Sequence, residues 1–168
     1  MENNSTVDIL KTAILMEKRG KAFYEKVAEQ TSDPDIKNIF NIMAQEELTH
    51  VHQLSMQFAH YQKNNSFQKP EEFMAQGEDA IANMILNEEI KNKISAASFE
   101  AAAISAAIDM ETKAIEVYSK QAEITTDANE KAMYIWLADF ERGHHKMLNE
   151  LNKELTEKIW FDNDFWPF

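Results

Sequence analysis

The chain contains no cysteine. That absence excludes disulfides, thiolate nucleophiles and metal centres held on sulfur within these residues, including rubredoxin-type iron and iron–sulfur clusters. Any metal has to sit on nitrogen and oxygen. Glycine and proline are also scarce, three of each in 168 residues. Without them strand turns are hard to build, and a sequence rich in Ala, Glu, Lys, Met, Ile and Leu favours long helices, so the expected class is all-α. Basic residues are outnumbered, 17 Lys and Arg against 29 Asp and Glu, giving a net charge of -12. Such a surface repels nucleic acid and anionic lipid, which excludes polynucleotide binding and favours cations or basic partners. No stretch approaches the roughly 20 apolar residues of a membrane span, and the opening MENNSTVDIL has no basic region followed by an apolar run. A soluble, cytoplasmic protein of one domain is expected, long enough to bury a core.

Apolar residues recur at helical spacing from Ser5 to about Gln30, through Val7, Leu10, Ile14, Phe23 and Val27. Ser32, Asp33 and Pro34 then combine a capping side chain with a proline suited to a first helical turn, and a second helix is expected from there to about Tyr61. QKNNSFQK, residues 62–69, reads as a loop ending at Pro70, followed by a shorter helical pattern over about 78–90. A third long helix, rich in Ala, is expected from about Ser95 to Glu123. Thr125, Thr126 and Asp127 form a second capping turn, with Asp127 and Glu130 spaced as a capping-box pair, and a fourth helix runs to about Glu157. The tail over 158–168, containing WFDNDFWPF, would expose a large apolar patch if free, so it is expected to dock on its own bundle or on a neighbouring subunit.

The two halves overlie one another at a constant shift of 94 residues with no insertion. Met16, Glu17, Tyr24, Ala28 and Glu29 fall on Met110, Glu111, Tyr118, Ala122 and Glu123; Asp33 falls on Asp127; Ala44, Glu47, His50 and Leu54 fall on Ala138, Glu141, His144 and Leu148. This pattern is a duplicated helical hairpin, hairpin 1 over about 5–62 and hairpin 2 over about 95–157, joined by a crossover over about 63–94.

Spacing alone suggests a site. Glu17 lies 16 residues before Asp33 and Glu47 lies 14 after it, so in an antiparallel pair both stand roughly 21 to 24 Å from the turn. Glu111 and Glu141 repeat this around Asp127. A His three residues after a Glu shares its helix face, and both Glu47 with His50 and Glu141 with His144 are built this way. If the hairpins pack face to face about a two-fold axis, four Glu and two His meet inside the bundle. Buried together, those carboxylates repel one another at a cost of several kcal/mol; two divalent ions would offset their charge. A two-fold perpendicular to the bundle requires the connection to cross roughly 45 Å, and the segment from 62 to 94 is long enough.

At these residues the chain resembles the ferritin-like diiron carboxylate proteins, and within them rubrerythrins and their short relatives, through the duplicated ELTH and ERGH and the Glu followed seven residues later by Tyr in each half. The resemblance covers about residues 7–155 and implies a ferritin-like four-helix bundle. It implies two iron ions, with manganese or a mixed pair as alternatives, bridged by Glu47 and Glu141, with Glu17 and Glu111 as terminal ligands and one of His50 and His144 on each ion. The activity it implies is a diiron peroxidase or oxidase that reduces hydrogen peroxide or dioxygen. Electrons would come from an external donor such as a rubredoxin or ferredoxin, since no rubredoxin domain is possible without cysteine. A homodimer or larger homo-oligomer is expected. The alternative is ferroxidase activity coupled to iron storage or delivery; a third reading is a bundle with zinc or no metal, serving as an interaction module. One departure stands out: rubrerythrins usually carry a further Glu three residues after the third-helix ligand, and here that position is Ala114.

Tyr24 and Tyr118 are the candidates for residues that act on the ligand carboxylates. His52, His60 and His145 fall outside the repeated pattern and read as surface or packing residues, Glu46 and Glu116 read as solvated, and the nine Met read as core filler.

Overall fold

The computed structural model describes residues 6–73 and 99–162, with side chains as far as 153. Five helices occur among the described residues, and no strand. They are α1 (Thr6–Gln30), α2 (Pro34–Asn64), a single turn α3 (Pro70–Phe73), α4 (Phe99–Ile124) and α5 (Ala128–Asp162). The helix expected over 78–90 and the expected start at Ser95 lie outside the described residues.

Both hairpin turns are made by aspartate. Asp33 Oδ1 accepts the amide hydrogens of Asp35 and Ile36, while Pro34 opens α2 with its ring where no helical donor is needed. Asp127 Oδ1 accepts from Asn129 and Glu130 in the same way. The capping-box expectation at Asp127 and Glu130 is met with one atom inserted: the Glu130 carboxyl accepts from the Thr125 hydroxyl, which itself accepts from the Asp127 amide. At its other end α2 outruns the expected stop at Tyr61. It closes at Asn65, whose left-handed backbone (φ 52°) turns its N–H back onto the Tyr61 carbonyl. The polar run after Tyr61 read as a loop, but Lys63 and Asn64 remain compatible with a last helical turn. Similarly, α5 continues past Glu157 to Asp162 and takes in the first residues of the aromatic segment.

The buried face of α1 is Leu10, Ala13, Glu17, Gly20, Tyr24, Val27 and Ala28. That of α4 is Ala103, Ile104, Ala107, Glu111, Ala114, Tyr118 and Ala122. Shifted by 94 residues, the two sets coincide at six positions, and only Val27 and Ala103 lack a counterpart in the other set. The apolar residues split into two clusters on either side of the carboxylates. One joins the end of α1 and start of α2 to the start of α4 and to Met147, Leu148 and Leu151; the other joins Leu10 and Ala13 to the end of α4 and start of α5. Each hairpin turn therefore belongs to the cluster that holds the opposite end of the other hairpin. The turns lie at opposite ends of the bundle, which is the packing produced by a two-fold perpendicular to its axis.

Candidate metal centre

Between the two clusters stand the six residues singled out by spacing, Glu17 from α1, Glu47 and His50 from α2, Glu111 from α4, Glu141 and His144 from α5. None is more than 3% exposed. Their ligand atoms form two groups, Glu17, Glu47, His50 and Glu141, and Glu47, Glu111, Glu141 and His144, with all atoms in a group within 4.8 Å of one another, so each group could hold a metal ion.

The geometry distinguishes two kinds of carboxylate. His50 Nδ1 is 3.1 Å from Glu17, 3.7 Å from Glu47 Oε2 and 3.3 Å from Glu141 Oε1. His144 Nδ1 is 3.5 Å from Glu111, 3.4 Å from Glu47 Oε1 and 3.2 Å from Glu141 Oε2. Glu47 and Glu141 thus each turn one oxygen to each imidazole, while Glu17 faces only His50 and Glu111 only His144.

These separations test whether ions fit. Ligand atoms about 2.1 Å from a common centre are roughly 3.0 Å apart at a right angle and roughly 3.4 Å apart at the tetrahedral angle; four of the six separations fall in that range, and those to Glu47 Oε2 and Glu111, at 3.7 and 3.5 Å, lie just above it. Direction agrees with distance. Both oxygens of Glu141 and Nδ1 of His144 are buried without a hydrogen-bond partner among the described residues, although they lie close together. They aim at a shared point rather than at one another.

Tyrosines complete the surroundings. The Tyr24 hydroxyl donates to Glu111 and the Tyr118 hydroxyl donates to Glu17, each crossing to the other hairpin. Phe40 stacks on Tyr24 and its repeat counterpart Tyr134 stacks on Tyr118, both at 6.1 Å between centroids. Burial, reinforced by the neighbouring carboxylates, pushes both phenols well above their usual range, so they stay protonated and remain donors.

Without metal, protons carry the compensating charge. Burial by itself would lower the pKa of both imidazoles, but the surrounding carboxylates outweigh it and hold His50 and His144 well above the usual range. Burial and the neighbouring Glu141 raise Glu17, and push Glu111 up to about 8. Burial acts the same way on Glu47 and Glu141, yet the two imidazoles close beside them prevail and lower them. The protons thus gather on the two imidazoles and on Glu17 and Glu111, while Glu47 and Glu141 favour the negative charge.

Sequence reasoning missed two features. Glu46, read as solvated, is buried, and its Oε2 lies 2.8 Å from Nε2 of His144. The signal was available, because Glu46 is four residues before His50 and so shares its face. Gly20 went unremarked; a Cβ there would stand 3.1 Å from Cδ of Glu47 and 3.3 and 3.4 Å from its oxygens. Glu116 is exposed and ion-paired to Lys113, as expected of a solvated residue. Neither His52, His60 nor His145 belongs to the two groups.

A cleft of about 440 Å³ opens between α1 and α4 and reaches Glu17, Glu47, Glu111 and Glu141. Its walls are the repeat pairs Met16 and Met110, and Gly20 and Ala114, with the exposed Arg19 and Lys113 at its mouth. Ala114, where a further carboxylate was the family expectation, leaves this side of the centre open.

The rubrerythrin family model matches residues 8–152. No curated protein matches the chain. Among solved structures, a hypothetical protein from Pyrococcus furiosus has the same fold, with a TM-score of 0.65 and 24% identity over 94% of each chain.

Proposed function

This chain belongs to the rubrerythrin family, and from that premise we propose that it is a diiron oxidoreductase that reduces hydrogen peroxide or dioxygen with electrons from an external donor protein. The observation that carries the reading is the division of the carboxylates. Glu47 and Glu141 face both imidazoles, as bridging ligands must, and Glu17 and Glu111 face one each, as terminal ligands must.

In this reading Glu17 and His50 would hold one ion, Glu111 and His144 the other, and Glu47 and Glu141 would serve both. Nitrogen and oxygen donors without thiolate suit iron or manganese. A pair of such ions would supply the two-electron redox chemistry that reduction of peroxide or dioxygen needs. The protein contributes the rest. Burial favours the protonated forms of Glu17 and Glu111, so ligation would release protons there, and Tyr24 and Tyr118 hold the two carboxyl groups in place by their hydroxyl hydrogens. The cleft between α1 and α4 gives a small molecule a way in beside Gly20 and Ala114, and the two apolar clusters exclude bulk water from the other sides.

Stopped-flow oxidation of the diferrous protein tests the activity. Oxidation by peroxide faster than by dioxygen supports the peroxidase; peroxide reacting no faster counts against it. Turnover of Fe²⁺ with iron accumulating in a closed assembly would point instead to iron storage.

A further inference from the structure

The repeat that builds the centre breaks at a position that touches it. Glu46 and Phe140 are equivalent, 94 residues apart, and each immediately precedes a carboxylate that faces both imidazoles. Glu46 places its Oε2 2.8 Å from Nε2 of His144, the ring nitrogen turned away from the carboxylate cluster. Phe140 instead sets its ring edge-on to His50, with centroids 5.1 Å apart, and Trp136 does the same at 5.7 Å. Nε2 of His50 has no hydrogen-bond partner among the described residues. His144 also meets a ring edge-on, that of Tyr24 at 6.4 Å, but of the two imidazoles it is the one with a carboxyl group on its far nitrogen.

The consequences differ. A carboxylate accepting from the far nitrogen fixes the tautomer that leaves Nδ1 free to ligate, locks the ring's rotation and makes Nδ1 a stronger donor. Aromatic packing restrains only the rotation. We propose that Glu46 is a positioning residue that makes the two metal positions unequal, so that the ion held by Glu111 and His144 binds first and more tightly than the ion held by Glu17 and His50. The proposal rests on the dimetal reading above.

Other differences do not account for such a bias. Each imidazole faces one carboxylate of its own and two shared ones, and each unshared carboxyl receives a tyrosine hydroxyl from the opposite hairpin. Gly20 and Ala114 also break the repeat, but Gly20 abuts Glu47, which serves both imidazoles.

Anaerobic titration of the metal-free full-length protein with Co²⁺ tests this, read by calorimetry and by the d–d absorption of the bound ion. The wild type takes up two ions in two resolved steps. Glu46→Gln keeps an acceptor oxygen but removes the charge; Glu46→Ala removes both. The tighter constant falls in both variants, by roughly 10- to 100-fold in Glu46→Ala and by less in Glu46→Gln, the spectrum of the first-bound ion changes, and the weaker constant stays within about twofold. Thermal unfolding of the metal-free variants establishes that they are folded, and Glu46→Gln, close in shape to the native residue, keeps the test available if Glu46→Ala is not. Two ions bound by the wild type in indistinguishable steps, or a loss falling on the weaker constant, would overturn this proposal alone. Absence of saturable uptake by the wild type would overturn it together with the dimetal reading.

Discussion

Tyr24 on α1 donates its hydroxyl hydrogen to Glu111 on α4, across the interface between the two hairpins. Tyr118 on α4 returns the same bond to Glu17 on α1. The two helices touch sparingly and have a cleft between them, so these paired bonds fix how the halves of the centre face one another.

Removing either phenol oxygen should loosen that alignment. Tyr24→Phe leaves the buried Glu111 carboxyl without its donor, and Tyr118→Phe does so for Glu17; each change is expected to cost the metal-free protein about 1–3 kcal/mol in denaturant unfolding. Metal stoichiometry should hold in each single variant while affinity drops by about tenfold, the low end for residues that support a ligand.

Metal uptake should expel protons. Their surroundings favour a proton on His50, His144, Glu17 and Glu111, and a bound ion has to displace it, so uptake releases protons from these groups. Affinity therefore rises with pH, and the release falls once Glu111 has ionised above its value of about 8. Calorimetry in buffers of different ionisation enthalpy counts them directly.

The same groups set how the metal-free protein responds to pH. A carboxyl whose pKa rises from the ordinary 4.5 to about 8 on folding gives stability that is full below 4.5 and lost as pH rises through 8. His50 and His144, raised from 6.5, act in the same direction at higher pH. Glu47 and Glu141, lowered from 4.5, contribute stability that is lost only on acidification below that value. The melting temperature of the metal-free wild type should thus fall between about pH 5 and 8. Glu111→Gln, still able to accept from Tyr24, should fall less steeply over that window and melt above the wild type at pH 8, even though it loses metal affinity. A steeper decline in the variant would contradict the assignment.

Gly20→Ala tests close packing behind a shared carboxylate. The added methyl would meet Glu47 at 3.1 Å, so Glu47 has to shift by a few tenths of an ångström. Helix propensity favours Ala by about 1 kcal/mol, which leaves stability roughly unchanged while both metal constants weaken. The combination to look for is an unaltered unfolding midpoint with a lowered affinity for both ions.

The fold was legible because duplication wrote it twice. Two capping aspartates, a gap-free repeat and a long connection were enough to place four helices and to align Glu17 with Glu47, and Glu111 with Glu141. Apolar periodicity was a poorer guide on α1. Val7, Ile14 and Phe23 are only partly buried, whereas Glu17, Gly20 and Tyr24 occupy the inner face. A helix that carries a polar site inward dilutes the apolar signal along that face, and the phase shifts toward the flank. Glu46, which reads as solvated, is hidden for a related reason: the face that holds His50 also holds the residue four before it. The tyrosine bonds depend on how two hairpins dock, information that spacing within one hairpin does not contain.

The most direct test of the account is anaerobic titration of the metal-free protein with Fe²⁺, in the wild type and in a Glu47→Ala/Glu141→Ala variant that lacks both shared carboxylates. Two ions per chain in the wild type, and none held with comparable affinity by the folded variant, is the predicted result. A wild type that binds no iron, or a variant that binds two ions as tightly as the wild type, would contradict it.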